Sequence, residues 1–316
     1  MKSFIKLCAA MLALHASGQV FAGGDGWLTD IDAAKKSAGE SKKDLLIDFT
    51  GSDWCGWCIK LNDEVFKHDA FKSGVKDSFV LVEIDFPRAK DKLPEDTRKR
   101  NTELGEKYAV QGYPTILLCD AEGKPYASTG YQEGGPEKYV SHLNELRANK
   151  TRRDEAFAKA EKLNGAEKAR VLVSALNAMK LDEKAVTNFY GDIADQIRAA
   201  DPKDSTGFVK KAESGKRLEA FQKSLQEFGQ KRDHDGALAL VDKTLKEGGF
   251  DAEATVQLMM TRAAIYASTE KFDEALKAID ETKSVVSDSP LNPMIDQFRK
   301  RIEQAKEEAA KGKKDE

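Results

Sequence analysis

Apolar residues fall in short bursts through the first half of this chain and in a longer-period stripe through the second. Leu45-Leu46-Ile47-Asp48-Phe49 and Phe79 to Ile84 are compact apolar runs of the length expected for buried strands. Thr115 to Cys119 is a third, introduced by Tyr113-Pro114. The turn signal Asp120-Ala121-Glu122-Gly123 then leads to a hairpin partner over residues 125–131. Between the runs the spacing becomes helical. Asp30 is a candidate N-cap for a short helix over 31–38 that stops at Gly39, and residues 55–72 carry a stripe of Ile59, Leu61, Val65, Phe66 and Phe71. Further helices are predicted over 102–108 and from Pro136 to about residue 148. Residues 87–101, charged and holding Pro87 and Pro94, read as a loop. The resulting order predicts an α/β domain with a parallel strand pair and an antiparallel hairpin at its end.

From residue 150 strand signals vanish, and Ala, Lys, Glu and Leu recur with helical spacing. Gly236-Ala237-Leu238-Ala239-Leu240-Val241-Asp242 is echoed 38 positions later by Glu274-Ala275-Leu276-Lys277-Ala278-Ile279-Asp280. Each copy follows another helical run, at 216–230 and 252–267. This is the helix–turn–helix rhythm of a tetratricopeptide (TPR)-like repeat, with Tyr266, Phe272 and Ala275 at its packing positions. A generic helical bundle has the same composition, and both readings stand.

With 316 residues the chain is long enough for two domains. Its 33% charged residues point to solvated helices, and a net charge of −3 gives no reason to expect nucleic acid or an anionic membrane as a partner. Lys2 and Lys6, the apolar run Leu7 to Leu14 and Val20-Phe21-Ala22 have the pattern of a secretory signal peptide. That run is too short to span a bilayer. The expected organisation is a signal peptide over 1–22, the α/β domain over 23–149, a helical domain over 150–306 and a flexible tail over 307–316. The expected location is periplasmic or secreted, with no membrane span once the signal is removed.

Removal of the signal leaves Cys55, Cys58 and Cys119. An exported disulfide scaffold usually carries more cysteines and an even number. Cys55-Gly56-Trp57-Cys58 fits redox chemistry better. The first thiol of a C-x-x-C pair at a helix start sits where free backbone N–H groups and the helix dipole favour an anion, and Gly56 leaves it accessible. A zinc site needs two more ligands, and haem attachment needs a histidine where Ile59 stands. Cys119, in an apolar strand, reads as a buried, inert thiol.

Phe49-Thr50-Gly51-Ser52-Asp53-Trp54-Cys55-Gly56-Trp57-Cys58 resembles the active-site segment of the thioredoxin-like family. It is most similar to exported members like the C-terminal domain of DsbD. The resemblance covers residues 27 to about 148. It implies a thiol–disulfide oxidoreductase in which Cys55 attacks, Cys58 resolves and Asp48, on the central strand, shuttles the proton of Cys58. Gly112-Tyr113-Pro114-Thr115 matches the family's cis-proline segment, so Tyr113 and Pro114 are implied as a substrate clamp, with Trp54 and Trp57 at the rim. Two departures bear on the acid. Gly51-Ser52 lengthens the step from Asp48 to Cys55 by one residue, which puts the aim of Asp48 in question. The family's lysine near the acid is replaced at about Leu81, leaving no cation to restrain it.

The implied reaction is reduction or isomerisation of disulfides in exported client proteins, rather than their oxidation. It needs no metal or organic cofactor, and its electrons come from another dithiol protein. The charged segment 87–101, with Arg98, Lys99 and Arg100, is expected to rim the site. The rival reading is a partner-binding protein whose helical repeats dock the partner while the thioredoxin fold serves as a platform.

Overall fold

The computed structural model describes residues 26–285 and 291–312; the expected signal peptide lies outside them. Five strands, β1 (Trp27–Leu28), β2 (Asp44–Thr50), β3 (Phe79–Asp85), β4 (Thr115–Cys119) and β5 (Pro125–Thr129), form one sheet in the order β1-β3-β2-β4-β5. β1, β3 and β2 are parallel; β4 runs antiparallel to β2, and β5 to β4. This is the mixed sheet that the strand order implied, with β1 added at one edge. Two residues are too short a run to register as a strand signal.

β2 is central and buried along its whole length. Leu45, Ile47 and Phe49 pack on one face with Ala34 and Ala38 of α1 (Ile31–Ser41), Val82, Ile84, Tyr108 and Leu117. By alternation, Leu46, Asp48 and Thr50 face the other side. The Asp30 carboxylate caps α1 by accepting from the N–H groups of Asp32 and Ala33, both at 2.9 Å. The helix passes Gly39 and ends at Lys42, which takes the left-handed conformation (φ 55°) in place of the expected glycine.

The stretch expected as one helix over 55–72 is three pieces: α2 (Gly56–Leu61), a π-helical turn (Asn62–Phe66) and α3 (Asp69–Val75), which His68 begins in extended conformation. In a continuous helix Phe66 and Phe71, five positions apart, would point about 140° away from each other. The break lets both turn inward, with ring centroids 4.9 Å apart, against Trp27 and Tyr139.

Two further expectations are corrected. The charged loop is shorter than 87–101, because α4 runs over Glu95–Lys107 and merges with the helix expected at 102–108. Pro94 precedes its first turn, Glu95 and Asp96 suit the dipole, and buried Asn101 donates to the Asp85 carbonyl at 2.8 Å. Next, α5 (Gly135–Ala160) continues straight through position 150, where composition changes. Lys150 reaches buried Asp44 at 2.6 Å and Arg153 reaches buried Asp120 at 3.0 Å. Among the described residues, the compact unit around the sheet comprises those up to Lys159 together with Ser174–Gly191. The latter segment belongs to α6 (Gly165–Ala178) and α7 (Glu183–Ala200), and it supplies Phe189 and Tyr190. The Tyr190 hydroxyl donates to the Pro125 carbonyl at 2.7 Å.

The second unit is helical: α8 (Phe208–Lys231), α9 (His234–Glu247), α10 (Ala252–Ser268), α11 (Phe272–Val285) and α12 (Asn292–Gly312). The 38-residue echo falls on α9 and α11, each preceded by a longer helix. Ala237, Val241 and Thr244 are buried in the first copy, and Ala275, Ile279 and Thr282 in the second. α12 runs on to Gly312, into the segment expected to be a flexible tail. No described helix is long and apolar enough to cross a membrane.

Candidate active site

Cys55 and Cys58 form a disulfide with Cα atoms 5.2 Å apart, at the start of α2. Cys55 is the N-cap residue, and the Cys58 N–H donates to its Sγ at 3.2 Å. A cap position offers backbone N–H groups to whatever acceptor stands there. On reduction that acceptor is the Cys55 sulfur, and the contact favours its thiolate. Both sulfur-bearing residues are nearly covered, at 6% and 4% exposure, despite the glycine between them. What lies open is the dipeptide's other member: Trp57 is 57% exposed and Ile59 42%. Trp57 leans on Tyr131 at 5.1 Å, and the Lys60 ammonium sits over both rings.

The residues leading up to Cys55 tie it to the neighbouring strand end. The Ser52 N–H and hydroxyl both donate to the Asp85 carboxylate, at 2.9 and 2.6 Å. Asp53 accepts from the N–H groups of Arg88 and Ala89, each at 3.0 Å, and these bonds, that of Ala89 foremost, hold its carboxyl below the usual range. The segment after β3 is thereby tied to the segment before Cys55. Arg88 stacks over Trp54 at 4.6 Å, and the Trp54 indole donates to the Phe86 carbonyl at 2.8 Å. Gly51 permits this, because a Cβ there would lie 2.6 Å from the Trp54 ring. Sequence reasoning missed Asp53 and Ser52; an Asp and a Ser beside a tight glycine turn were the available signal. Of the charged segment after β3, Arg88 lies over Trp54 and Lys92 lies 4.0 Å from Asp53. Arg98 and Lys99 lie on α4, and Arg100 pairs with Asp30 at 3.0 Å.

Tyr113–Pro114 is a cis peptide bond. Tyr113 packs edge-on against Trp54 at 5.6 Å and against Phe86 at 5.2 Å, so this segment abuts the one that carries the cysteines. A Cβ on Gly130 would crowd the Pro114 carbonyl at 3.2 Å.

Asp48 is buried, and its Oδ1 has no hydrogen-bond partner. Alternation along β2 puts Asp48 on the sheet face opposite α1, where Phe66, Phe71 and Tyr139 pack. Its strand neighbour is Glu83, whereas Leu81 lies opposite Leu46. Burial, then the Glu83 and Asp85 carboxylates, push the Asp48 carboxyl well up. Burial and Asp85 likewise raise Glu83 to about 7. Cys119 is fully buried and unbridged, and burial raises its thiol strongly. Among the described residues no cluster of metal-ligating side chains exists.

A five-stranded sheet of this order, with a C-x-x-C disulfide starting a helix and a cis-proline segment beside it, defines a thioredoxin-like thiol–disulfide oxidoreductase. Residues 31–147 match the family model of the thioredoxin-like domain. The chain is 40% identical over 117 residues to the disulfide bond reductase DsbH of Chlamydia pneumoniae, across 37% of this chain and 69% of that protein. The solved structure of a DsbH oxidoreductase is matched at 37% identity and a TM-score of 0.36, over 38% of this chain and 82% of that one. The oxidised C-terminal domain of Neisseria meningitidis DsbD is matched at 15% identity and a TM-score of 0.27, over 38% of this chain and 98% of that one. The chain belongs to the thioredoxin-like family.

Proposed function

We propose that this protein reduces or isomerises disulfides in exported client proteins. The reductase direction is supported by 40% identity to a protein named as a disulfide bond reductase. The observation that carries the mechanism is the Cys58 N–H directed at Cys55 Sγ from the start of α2. In the reduced protein the Cys55 thiolate attacks a client disulfide, forming a mixed disulfide and releasing one client thiolate, which takes a proton. Cys58 then loses its proton to Asp48 and attacks Cys55. The Cys55–Cys58 bond forms, the bond from Cys55 to the client breaks, and the second client thiolate takes a proton from water, so that the client leaves as a dithiol. Two electrons pass to the client, and a donor dithiol protein restores them. Trp54, Trp57, Tyr113 and Pro114 receive the client chain.

The leader-like pattern over 1–22 supports export, to the periplasm or beyond. The organisation we propose is a thioredoxin-like module followed by a helical, TPR-like one. The test is a trapping experiment in an exporting host. Cys58→Ser should accumulate mixed disulfides with exported proteins and Cys55→Ser should not. Equal trapping by the two variants, or none by either, would overturn the mechanism.

A further inference from the structure

A carboxyl as enclosed as Asp48 can take a proton from a neighbour, but it must surrender that proton before the next cycle. The way out runs along its own face of the sheet. β2 and β3 are parallel, with Asp48 opposite Glu83 and Thr50 opposite Asp85. Val82 and Ile84 pack on the α1 side with Ile47 and Phe49. Glu83 and Asp85 therefore share the face of Asp48. β1 pairs with β3 only at Leu81 and Val82, so Glu83 stands one residue past the end of the edge strand, and it is half-buried. Asp85 is already engaged by both donors of Ser52. Glu83 is thus a carboxyl that adjoins the buried acid and also reaches toward solvent.

We propose that Glu83 is the proton exit of Asp48, carrying the proton between the buried acid and water in each cycle of the Cys55–Cys58 pair. The inference rests on the dithiol reading given above. As Cys58 attacks Cys55, the Cys58 S–H bond breaks and its proton goes to Asp48. That proton then passes to Glu83 and from Glu83 to water, restoring both carboxylates without movement of electrons. Its readiness to exchange near neutrality agrees with this role. The charged groups that bear on Glu83 are Asp48 of β2 and Asp85 of its own strand. Tyr139 of α5 faces Asp48 from the covering helix, and β1 brings no ionisable group at this level. Glu83 acts through Asp48, as a positioning residue.

The test uses the full-length reduced protein and a small peptide disulfide. Acid quenching and mass spectrometry follow formation and resolution of the mixed disulfide over successive cycles as a function of pH, with a small dithiol restoring the reduced pair. Glu83→Gln should leave resolution in the first cycle at the parent's rate and slow it about tenfold in the cycles that follow, the scale of an impaired proton transfer. It should also move the acid limb to lower pH, because Asp48 loses a negative neighbour, while Cys55 attack keeps its rate. Glu83→Asp should recover most of the resolution rate. A Glu83→Gln profile that overlays the parent, with Asp48→Asn slow, would overturn the exit role and leave the dithiol mechanism intact. A fast Asp48→Asn variant would overturn the exit role together with the Asp48 step.

Discussion

Trp54 and Tyr113 meet edge to face with ring centroids 5.6 Å apart, one on the residue before the reactive cysteine and the other on the residue before the cis proline. These two segments are about sixty residues apart in the chain, and each depends on the other for its position beside the disulfide. Aromatic pairs of this kind are worth about 1 kcal/mol beyond the area they bury. Tyr113→Ala should therefore lower kcat/KM for a disulfide-bonded peptide about fivefold to tenfold. The alkylation rate of Cys55 should not change. Steady-state kinetics alongside iodoacetamide labelling separate the two effects.

The thiols should differ sharply in reactivity. With an N–H at its sulfur and a helix start behind it, Cys55 should be labelled first near neutral pH. Cys119, fully buried and with its thiol pushed upward, should stay unmodified until the protein unfolds. Peptide mapping after a short alkylation pulse, with and without denaturant, checks the order.

Glu83 also makes a prediction about stability. Its carboxyl is raised in the folded protein from an ordinary 4.5 to about 7. The protonated form is therefore favoured on folding. The associated stability is present in full below about pH 4.5 and is lost as pH rises through about 7. For this partly exposed group the change amounts to about 2–3 kcal/mol. Denaturant unfolding of the parent should show that slope, and Glu83→Gln should flatten it and be the more stable protein above neutrality.

Arg153 and Asp120 are both nearly covered, and Arg153 also donates to the Tyr190 hydroxyl at 3.0 Å. Removing Arg153 takes the counter-charge from buried Asp120 and leaves it the Lys124 N–H. Arg153→Met should cost about 3 kcal/mol in unfolding experiments. Adding Asp120→Asn should recover part of that loss, a non-additivity that a double-mutant cycle measures.

The strands were legible because β2, β3 and β4 are apolar runs bounded by turn residues, and their order alone gave the mixed sheet. Cys55 and Cys58 were legible because their spacing carries the chemistry, and the cis bond at Tyr113–Pro114 was legible through the resemblance to the thioredoxin-like family. What stayed hidden was polar. The first turns of α4 looked like loop because their packing uses Asn101 rather than an apolar stripe. The end of α5 looked like solvated helix because Lys150 and Arg153 meet buried acids that no periodicity reveals. Glu83 became visible only through the register of β2 on β3, which depends on chain segments a linear pattern does not align.

All three tryptophans of the chain belong to the thioredoxin-like unit: Trp27 in the aromatic cluster with Phe66 and Phe71, and Trp54 and Trp57 on either side of Cys55. The helical unit has none. Indole emission from this protein is therefore a private signal of one unit. Two of its three sources flank Cys55 in the chain, and because a disulfide near an indole quenches it, opening the Cys55–Cys58 bond should brighten them. The molecule carries its own optical gauge of oxidation state, readable without a label and blind to anything that happens in the helices.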